Sequence, residues 1–220
     1  MQGFSGVVLV DAATGDRRVL SELKRLGTDP VLVFSRNGSR LLLVDDESGQ
    51  GWVWDADGAK LLAELSLVPN SPRQPRGDRA CEGGAHCERG IDDAELSPDG
   101  LDVLARRRDG TLVVMRLADE ASRLELGGGP QQVTAAAYSA DGRALLVALH
   151  GDCDQAAQRE VERCQGRAGW SEIVLYDATT LDERRRIAAH TRPIQSITST
   201  VSPRRVVTGT VGEARVWELP

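Results

Sequence analysis

The sequence predicts an all-β fold built from repeated four-stranded antiparallel sheets. Two short patterns that recur along the chain support this prediction, together with the distances at which they recur. The 220 residues include 23 glycines and 9 prolines, a composition typical of a chain with many turns. Hydrophobic residues make up 40% of the chain, which is enough for a sizeable core and excludes a wholly disordered protein.

The first pattern is a turn signal: an apolar residue, serine, any residue, an acidic or amide residue, and glycine. It occurs at residues 34–38, 96–100 and 138–142, with a degenerate copy at 201–205. Asn-Gly and Asp-Gly readily adopt the positive φ angles that a tight hairpin turn requires. Because an apolar run precedes and follows each copy, the pattern predicts a strand, a tight turn and a second strand.

The second pattern is a strand that ends in a bulky residue, usually followed by an acid. It occurs five times, at residues 8–11, 52–55, 112–116, 173–177 and 215–218. In the third copy Arg116 stands in place of the acid. Two of the four intervals between copies fit a four-stranded unit of roughly 40–45 residues, and the other two contain one insertion each.

These patterns resemble the WD-repeat family of β-propellers, in which four-stranded sheets, called blades, surround a central channel. The last unit matches best, since residues 189–197 are similar to the family's Gly-His pair leading into an innermost strand, with Ala189 in place of glycine. Residues 206–218 resemble the next two strands, and residues 109–111 resemble the family's turn into a third strand. The resemblance extends over nearly the whole chain and implies a β-propeller of four-stranded antiparallel blades.

We label the strands of a blade a to d from the channel outward and interpret residues 1–220 as one propeller segment. Its parts are strands c and d of a partial blade (7–20), three full blades (30–65, 91–126 and 133–188), and strands a, b and c of the last blade (193–219). In the family the outermost strand of the last blade commonly comes from the N-terminal side. We therefore expect about four blades of a larger ring of seven or eight, completed by the same polypeptide, a second chain or a second copy. The alternative is a small closed ring that uses residues 17–20 as its last strand.

Two insertions, at residues 66–90 and 150–169, lengthen the chain between predicted strands. The first joins strand d of one blade to strand a of the next, and the second interrupts a b–c hairpin. In a propeller both kinds of connection emerge on the same face, and long loops on a rigid scaffold are where binding usually occurs. We therefore predict that this face binds a partner and that Trp170, at the end of the second insertion, is a partly exposed contact. Further predicted contact residues are His86, Arg163 and Arg167.

All four cysteines lie in the insertions: Cys81 and Cys87 in the first, and Cys153 and Cys164 in the second. Four cysteines allow three disulfide pairings, and the sequence does not choose among them. Disulfide bonds are the favoured interpretation and would indicate an extracytoplasmic protein, whereas free thiols would indicate a cytoplasmic one. Zinc bound with His86 or His150 is the rival interpretation, although the close Cys-x2-Cys spacing of structural zinc sites is absent. No cofactor and no metal are expected.

The resemblance implies structural roles for several other residues. The family's equivalent of His190 joins a hydrogen-bond network within its blade, and Thr208 is the expected partner here. Trp54, Tyr176 and Trp217 recur in phase and are expected to pack between blades. The basic triplets at residues 106–108 and 184–186 are interpreted as a solvated blade surface, with anion or acidic-partner binding as the alternative.

Composition and motifs limit the possible functions. The net charge of −6 argues against a nucleic-acid partner, and no apolar run approaches the roughly 18 residues of a membrane span. No Gly-x-Ser-x-Gly elbow, phosphate-binding loop or His-Glu-x-x-His motif occurs. We therefore predict a non-catalytic module that binds a protein or peptide through the face carrying the insertions. The resemblance to WD-repeat propellers implies that this module is a scaffold or sensor in signalling. The alternatives are a hydrolase or lyase propeller with a site in the central channel, and a metal-stabilised ligand sensor.

Overall fold

The structure, a computed structural model, describes residues 6–22, 29–57, 60–68, 90–128, 131–152, 169–200 and 205–218. Within these ranges the chain forms 17 strands arranged in five antiparallel sheets. The predicted all-β class is confirmed. No helix among the described residues is long and apolar enough to cross a membrane.

Each sheet is a meander whose strands follow one another in chain order. Sheet 1 contains β1 (Gly6–Val10) and β2 (Arg17–Glu22). Sheet 2 contains β3 (Val31–Phe34), β4 (Arg40–Val44), β5 (Gln50–Asp55) and β6 (Leu61–Ser66). Sheet 3 contains β7 (Ile91–Leu96), β8 (Asp102–Arg107), β9 (Thr111–Arg116) and β10 (Asp119–Gly127). Sheet 4 contains β11 (Gln131–Tyr138), β12 (Ala144–Asp152), β13 (Gly169–Asp177) and β14 (Glu183–His190). Sheet 5 contains β15 (Ser196–Ser199), β16 (Arg205–Thr210) and β17 (Glu213–Glu218).

The recurrent turn signal owes its shape to one serine and one glycine. In each a–b turn of sheets 2, 3 and 4, the serine Oγ donates a hydrogen bond of 2.6–2.7 Å to the Asx side-chain oxygen. The same Oγ accepts a bond of 2.9–3.0 Å from the backbone N–H that opens the following strand. The glycine takes φ between 70° and 78°, a conformation that disfavours other residues. The three serine–Asx pairs are Ser35–Asn37, Ser97–Asp99 and Ser139–Asp141.

Neighbouring sheets pack face to face in chain order, and apolar side chains fill each of the four interfaces between them. Three of these interfaces use a pair of residues that lie directly opposite each other on strands b and c. These pairs are Leu42 with Val53, Leu104 with Val114, and Leu146 with Leu175, which face sheets 3, 4 and 5 respectively. Full burial of one such side chain contributes about 1.5–3 kcal/mol, so these interfaces stabilise the stack of sheets.

The three aromatic residues predicted to pack between blades each lie at an interface between sheets. Trp54 is fully buried and packs with Val7 between sheets 1 and 2. Tyr176 belongs to the core between sheets 3 and 4, and Trp217 packs, partly buried, between sheets 4 and 5. Their recurrence in phase therefore reflects the repeated packing of strand c against the preceding sheet.

The outer faces of sheets 1 and 5 expose positions that are buried in the other sheets. In sheet 5, Val207 and Val216 occupy the register of the interface pairs, yet Val216 is 64% exposed. In sheet 1, Val8 lies opposite Val19 on the side away from sheet 2, and Val10 on that side is 53% exposed. Both outer faces are thus apolar surfaces of the type that joins sheets elsewhere in the chain.

Candidate interaction face

The chain segments that flank both insertions lie on one face of the molecule, which we call the insertion face. In these meanders the end of strand d, the start of strand a and the b–c hairpin all lie at the same end of the sheet. Backbone hydrogen bonds connect neighbouring segments there: Leu67 N–H donates to Gly49 O at 2.9 Å, and Arg108 N–H donates to Gly90 O at 2.9 Å. Further along, Val133 N–H donates to Gly110 O at 2.8 Å. The opposite side, the turn face, carries the three serine–Asx turns.

The first insertion leaves the scaffold at Leu67, whose carbonyl is held by two arginines of sheet 3. Arg107 donates to Leu67 O through Nε at 2.9 Å and through Nη2 at 2.7 Å. Arg123 donates to the same oxygen at 3.2 Å and to Ser66 O at 3.0 Å. Both guanidinium groups also contact Glu125, at 3.0 and 2.6 Å. Burial opposes ionisation of Glu125, but the hydrogen bonds and charges of Arg107 and Arg123 outweigh it and lower the pKa of Glu125.

The first insertion returns to the scaffold at Gly90, beside an ion pair in which the Asp46 carboxylate is buried. Ile91 N–H donates to Asp46 O at 2.8 Å, and the Asp46 carboxylate accepts from Arg108 Nη2 at 3.1 Å. A side chain at position 90 would place its Cβ 2.7 Å from Arg108 Cζ and 2.8 Å from Asp46 O, so only glycine fits. Both ends of this insertion are therefore fixed to the scaffold by arginines.

The interpretation of residues 106–108 as a solvated surface is wrong for the middle residue. Arg107 is 4% exposed, because its guanidinium satisfies the carbonyl of a neighbouring sheet. The flanking residues pair with acids, Arg106 with Asp92 at 2.9 Å and Arg108 with Asp46. In the second triplet, Arg184, Arg185 and Arg186 are exposed.

The second insertion leaves and re-enters the scaffold along the paired ends of β12 and β13, which extend to Asp152 opposite Gly169. Trp170 lies against Gly151, where an added Cβ would be 2.4 Å from Trp170 Cε2. Trp170 is 5% exposed, so the expectation of partial exposure is wrong. Because glycine has no side chain, Gly151 leaves room for the Trp170 indole to pack against it. The role of Trp170 as a partner contact stays a prediction.

Hydrogen bonds between polar groups connect the stem of the second insertion to the segment that follows sheet 4. Ser171 Oγ donates to Arg192 O at 2.8 Å and lies 3.0 Å from His150 Nδ1. Because the single hydroxyl proton of Ser171 goes to the carbonyl, His150 Nδ1 must carry the proton of the second bond. His150 is thus a structural donor at the base of the insertion.

Several predicted site residues lie outside the described residues: Cys81, Cys87, Cys153, Cys164, His86, Arg163 and Arg167. Disulfide pairing, free thiols and zinc binding therefore stay predictions. Among the residues that the structure does describe, no group of three or more metal-ligating side chains comes together.

The structure brings His190 and Thr208 together, in a network that also includes Trp217. His190 Nε2 lies 2.9 Å from Thr208 Oγ1, which accepts from Trp217 Nε1 at 2.8 Å. His190 Nδ1 lies 3.1 Å from a carboxylate oxygen of Glu213, and Arg215 Nε donates to Glu213 at 2.6 Å. The bonds from Arg215 and His190 lower the pKa of Glu213. Sequence reasoning missed Glu213 and Arg215, because an acid beside Gly212 in a tight turn is typical of a solvent-facing position.

Sequence reasoning also missed Glu95, on innermost strand β7. Its carboxylate accepts a backbone hydrogen bond from Tyr138 of sheet 4. Burial, and secondly the charge of Asp93, raise the pKa of Glu95 to about 7. The cavity beside these two acids measures about 10 Å³, which is room for a single water molecule.

Comparison with known proteins supports the fold but no specific family. No protein-family model and no curated protein sequence matches the chain. A solved structure with a similar fold is the β-propeller domain of Cps50 (Swd1) from Myceliophteria thermophila, at a TM-score of 0.62 and 18% sequence identity. The match covers 97% of this chain and 59% of that one, so the chain spans less than two thirds of its length. In all, 1257 solved chains match, and a fold this widespread does not indicate one function.

The likeness establishes a β-propeller architecture of four-stranded antiparallel blades. The predicted propeller fold is confirmed, and the resemblance to WD-repeat propellers is supported at the level of structure.

Proposed function

We propose that this protein is a non-catalytic interaction module that binds a protein or peptide through its insertion face. The observation that carries the proposal is that both insertions start and end on this one face, on stems fixed to a rigid scaffold. Binding residues are commonly presented on loops of this kind, and WD-type propellers are typical interaction scaffolds. The insertions, with Trp170 at the base of the second, would supply the contacts.

Fixed stems favour binding because they lower the entropy lost when a loop is ordered against its partner. At the first stem, Arg107 and Arg123 give the Leu67 carbonyl three hydrogen bonds. At the second, Trp170 packs against Gly151. Each stem restricts the ends of its insertion without depending on the partner.

Two acids of this face, Asp46 and Asp92, and the partly buried Glu95 support a non-catalytic role. Asp46 and Asp92 are paired with Arg108 and Arg106, and a carboxylate engaged in this way is a poor general acid or base. Glu95 has a raised pKa, but the adjoining cavity of about 10 Å³ is too small for a substrate. These observations favour a binding module over a hydrolase or lyase with a site in the channel.

The test compares three forms of the full chain in affinity capture with quantitative mass spectrometry: the native chain, a form without the insertions and a control. One form has residues 69–89 and 153–168 each replaced by a short Gly-Ser linker, and the control carries Arg184→Ala and Arg185→Ala on β14. We expect proteins that the native chain and the control retain to be lost from the linker form. Equal capture by all three forms would contradict the proposal, and capture with and without reductant reports whether disulfides shape the surface.

We further propose that the outer faces of sheets 1 and 5 pack against more propeller sheets, supplied by the same polypeptide, a second chain or a second copy. Support comes from Val207 and Val216, which lie opposite each other on strands b and c of sheet 5. Leu146 and Leu175 hold the same positions in sheet 4 and are buried against sheet 5. If a second copy supplies these sheets, light scattering should show a concentration-dependent dimer, and Val216→Lys should abolish this dimer. A monomer unaffected by this change would exclude that source.

A further inference from the structure

The turn face carries a groove between sheets 3 and 4 that the proposed function does not use. The groove measures about 380 Å³, within the size range of sites for small ligands and single side chains. Its walls come from the turns and loops of both sheets, including Asp99, Leu101, Asp102, Tyr138 and Thr179. A second groove of about 700 Å³ adjoins it and shares Gly142 and Thr179.

The hydroxyl of Tyr138 is the unusual group at this groove. The ring packs into the core between sheets 3 and 4, and the residue is 4% exposed. Within the described part of the chain, its Oη is buried and has no hydrogen-bond partner. A buried hydroxyl without a partner is unfavourable, so its presence calls for an explanation.

Two acids, Asp99 and Asp102, and one arginine, Arg116, line the groove. Asp102 accepts from Arg116 Nε at 3.1 Å, and Arg116 Nη2 donates to Thr179 O at 3.3 Å, so this guanidinium is already engaged. Asp99 is exposed and stands at the rim. Burial first, and then the charges of Asp102, Glu95 and Asp99, raise the pKa of Tyr138 above its ordinary range, whereas the smaller effect of Arg116 lowers it. The acids therefore outweigh the arginine at this hydroxyl, which favours a positive ligand.

We infer that this groove binds a guanidinium or ammonium group, as the basic side chain of a peptide or as a free organic cation. The N–H groups of the ligand would donate to Asp99 and Asp102, with the Tyr138 hydroxyl as a further acceptor at the base. Leu101, which is 53% exposed, would contact the methylene groups of the ligand. Because the adjoining groove offers room for neighbouring residues, an arginine within a peptide binds more tightly than a free cation.

The experiment titrates the full chain with two probes, acetyl-Gly-Arg-Gly-amide and agmatine, and follows binding by calorimetry and by amide chemical shifts. The native chain should bind the peptide at least about fivefold more tightly than agmatine. Tyr138→Phe and Asp102→Asn should each weaken peptide binding about fivefold or more, since each removes one acceptor. Asp109→Asn, an equal charge change at an exposed residue of the b–c turn of sheet 3, should alter affinity less than about twofold.

Tyr138→Phe keeps the test valid if Asp102→Asn unfolds, because it removes only a hydroxyl that has no partner. Its thermal midpoint should equal or exceed that of the native chain. Equal affinity for both probes would identify the free cation as the ligand. The inference is overturned if neither probe binds at about 10 mM, if acetyl-Gly-Glu-Gly-amide binds as well, or if Tyr138→Phe leaves affinity unchanged.

Discussion

Replacing Glu95 with glutamine should stabilise the protein above neutral pH and leave it unchanged in acid. The pKa of Glu95 is raised from 4.5 to about 7, chiefly by burial. An acid with a raised pKa in the folded state destabilises the fold once the solution pH passes its unfolded pKa. The stability is therefore complete below pH 4.5, falls as the pH rises, and reaches its lower level above about pH 7.

The magnitude follows from the size of the shift. At about 1.4 kcal/mol per pKa unit, the ionised Glu95 costs the fold on the order of 3 kcal/mol at pH 8. Glutamine keeps a side-chain oxygen that can accept the backbone hydrogen bond from Tyr138 but never ionises. For a chain of this size, the gain corresponds to a thermal midpoint roughly 6–12 °C higher at pH 8.

Urea unfolding of the native chain and of Glu95→Gln, at intervals between pH 4.5 and pH 9, measures the difference directly. Glu64→Gln is the matched control, because it makes the same change at an exposed position of a strand. The two stability curves should meet at low pH and separate as the pH rises, whereas the control should follow the native curve. A variant that is less stable than the native chain at pH 8, or a constant difference at every pH, would show that the ionised Glu95 does not destabilise the fold.

Two further predictions concern the stems of the insertions. Arg107→Ala should lower the free energy of unfolding by roughly 3 kcal/mol, because it leaves the Leu67 carbonyl without its two best donors, and urea denaturation measures the loss. Gly151→Ala should cost roughly 1–3 kcal/mol, because the new methyl group overlaps the Trp170 ring and must displace it. A shift of tryptophan fluorescence to longer wavelength should accompany the second change as the indole becomes exposed.

Arg205→Ala removes an exposed arginine that pairs with Glu218, and it should change stability by less than about 0.5 kcal/mol. If Arg107→Ala costs no more than this control, the buried guanidinium does not hold the stem. If Gly151→Ala changes neither stability nor fluorescence, the indole does not lie against position 151.

The fold class could be predicted because its signals are local and repeated. Ser97, Asp99 and Gly100 form their hydrogen bonds within one turn, so the chemistry that shapes the hairpin is complete in a few adjacent residues. The apolar runs that contain Leu104 and Val114 are likewise visible in the sequence of each strand. A repeat multiplies such signals and makes them hard to mistake.

The site was less predictable because its contacts join residues far apart in the chain. Arg107 looked like one member of an exposed basic run, and only the carbonyl of Leu67 in the preceding sheet explains its burial. Trp170 looked exposed because it follows a polar insertion, and only its pairing with Gly151 shows otherwise. Glu95 gave no signal, because its pKa depends on the depth of burial between two sheets.

Each of the three boundaries between sheets 2, 3, 4 and 5 has its own polar contact. Arg107 reaches Leu67 at one boundary, Glu95 receives the Tyr138 amide at the next, and His190 meets Thr208 at the last. The blades are consequently not interchangeable, since exchanging two of them would separate the two residues of such a contact. Chimeras that recombine blades of this protein should tolerate an exchange only when both residues of each polar contact are transferred together.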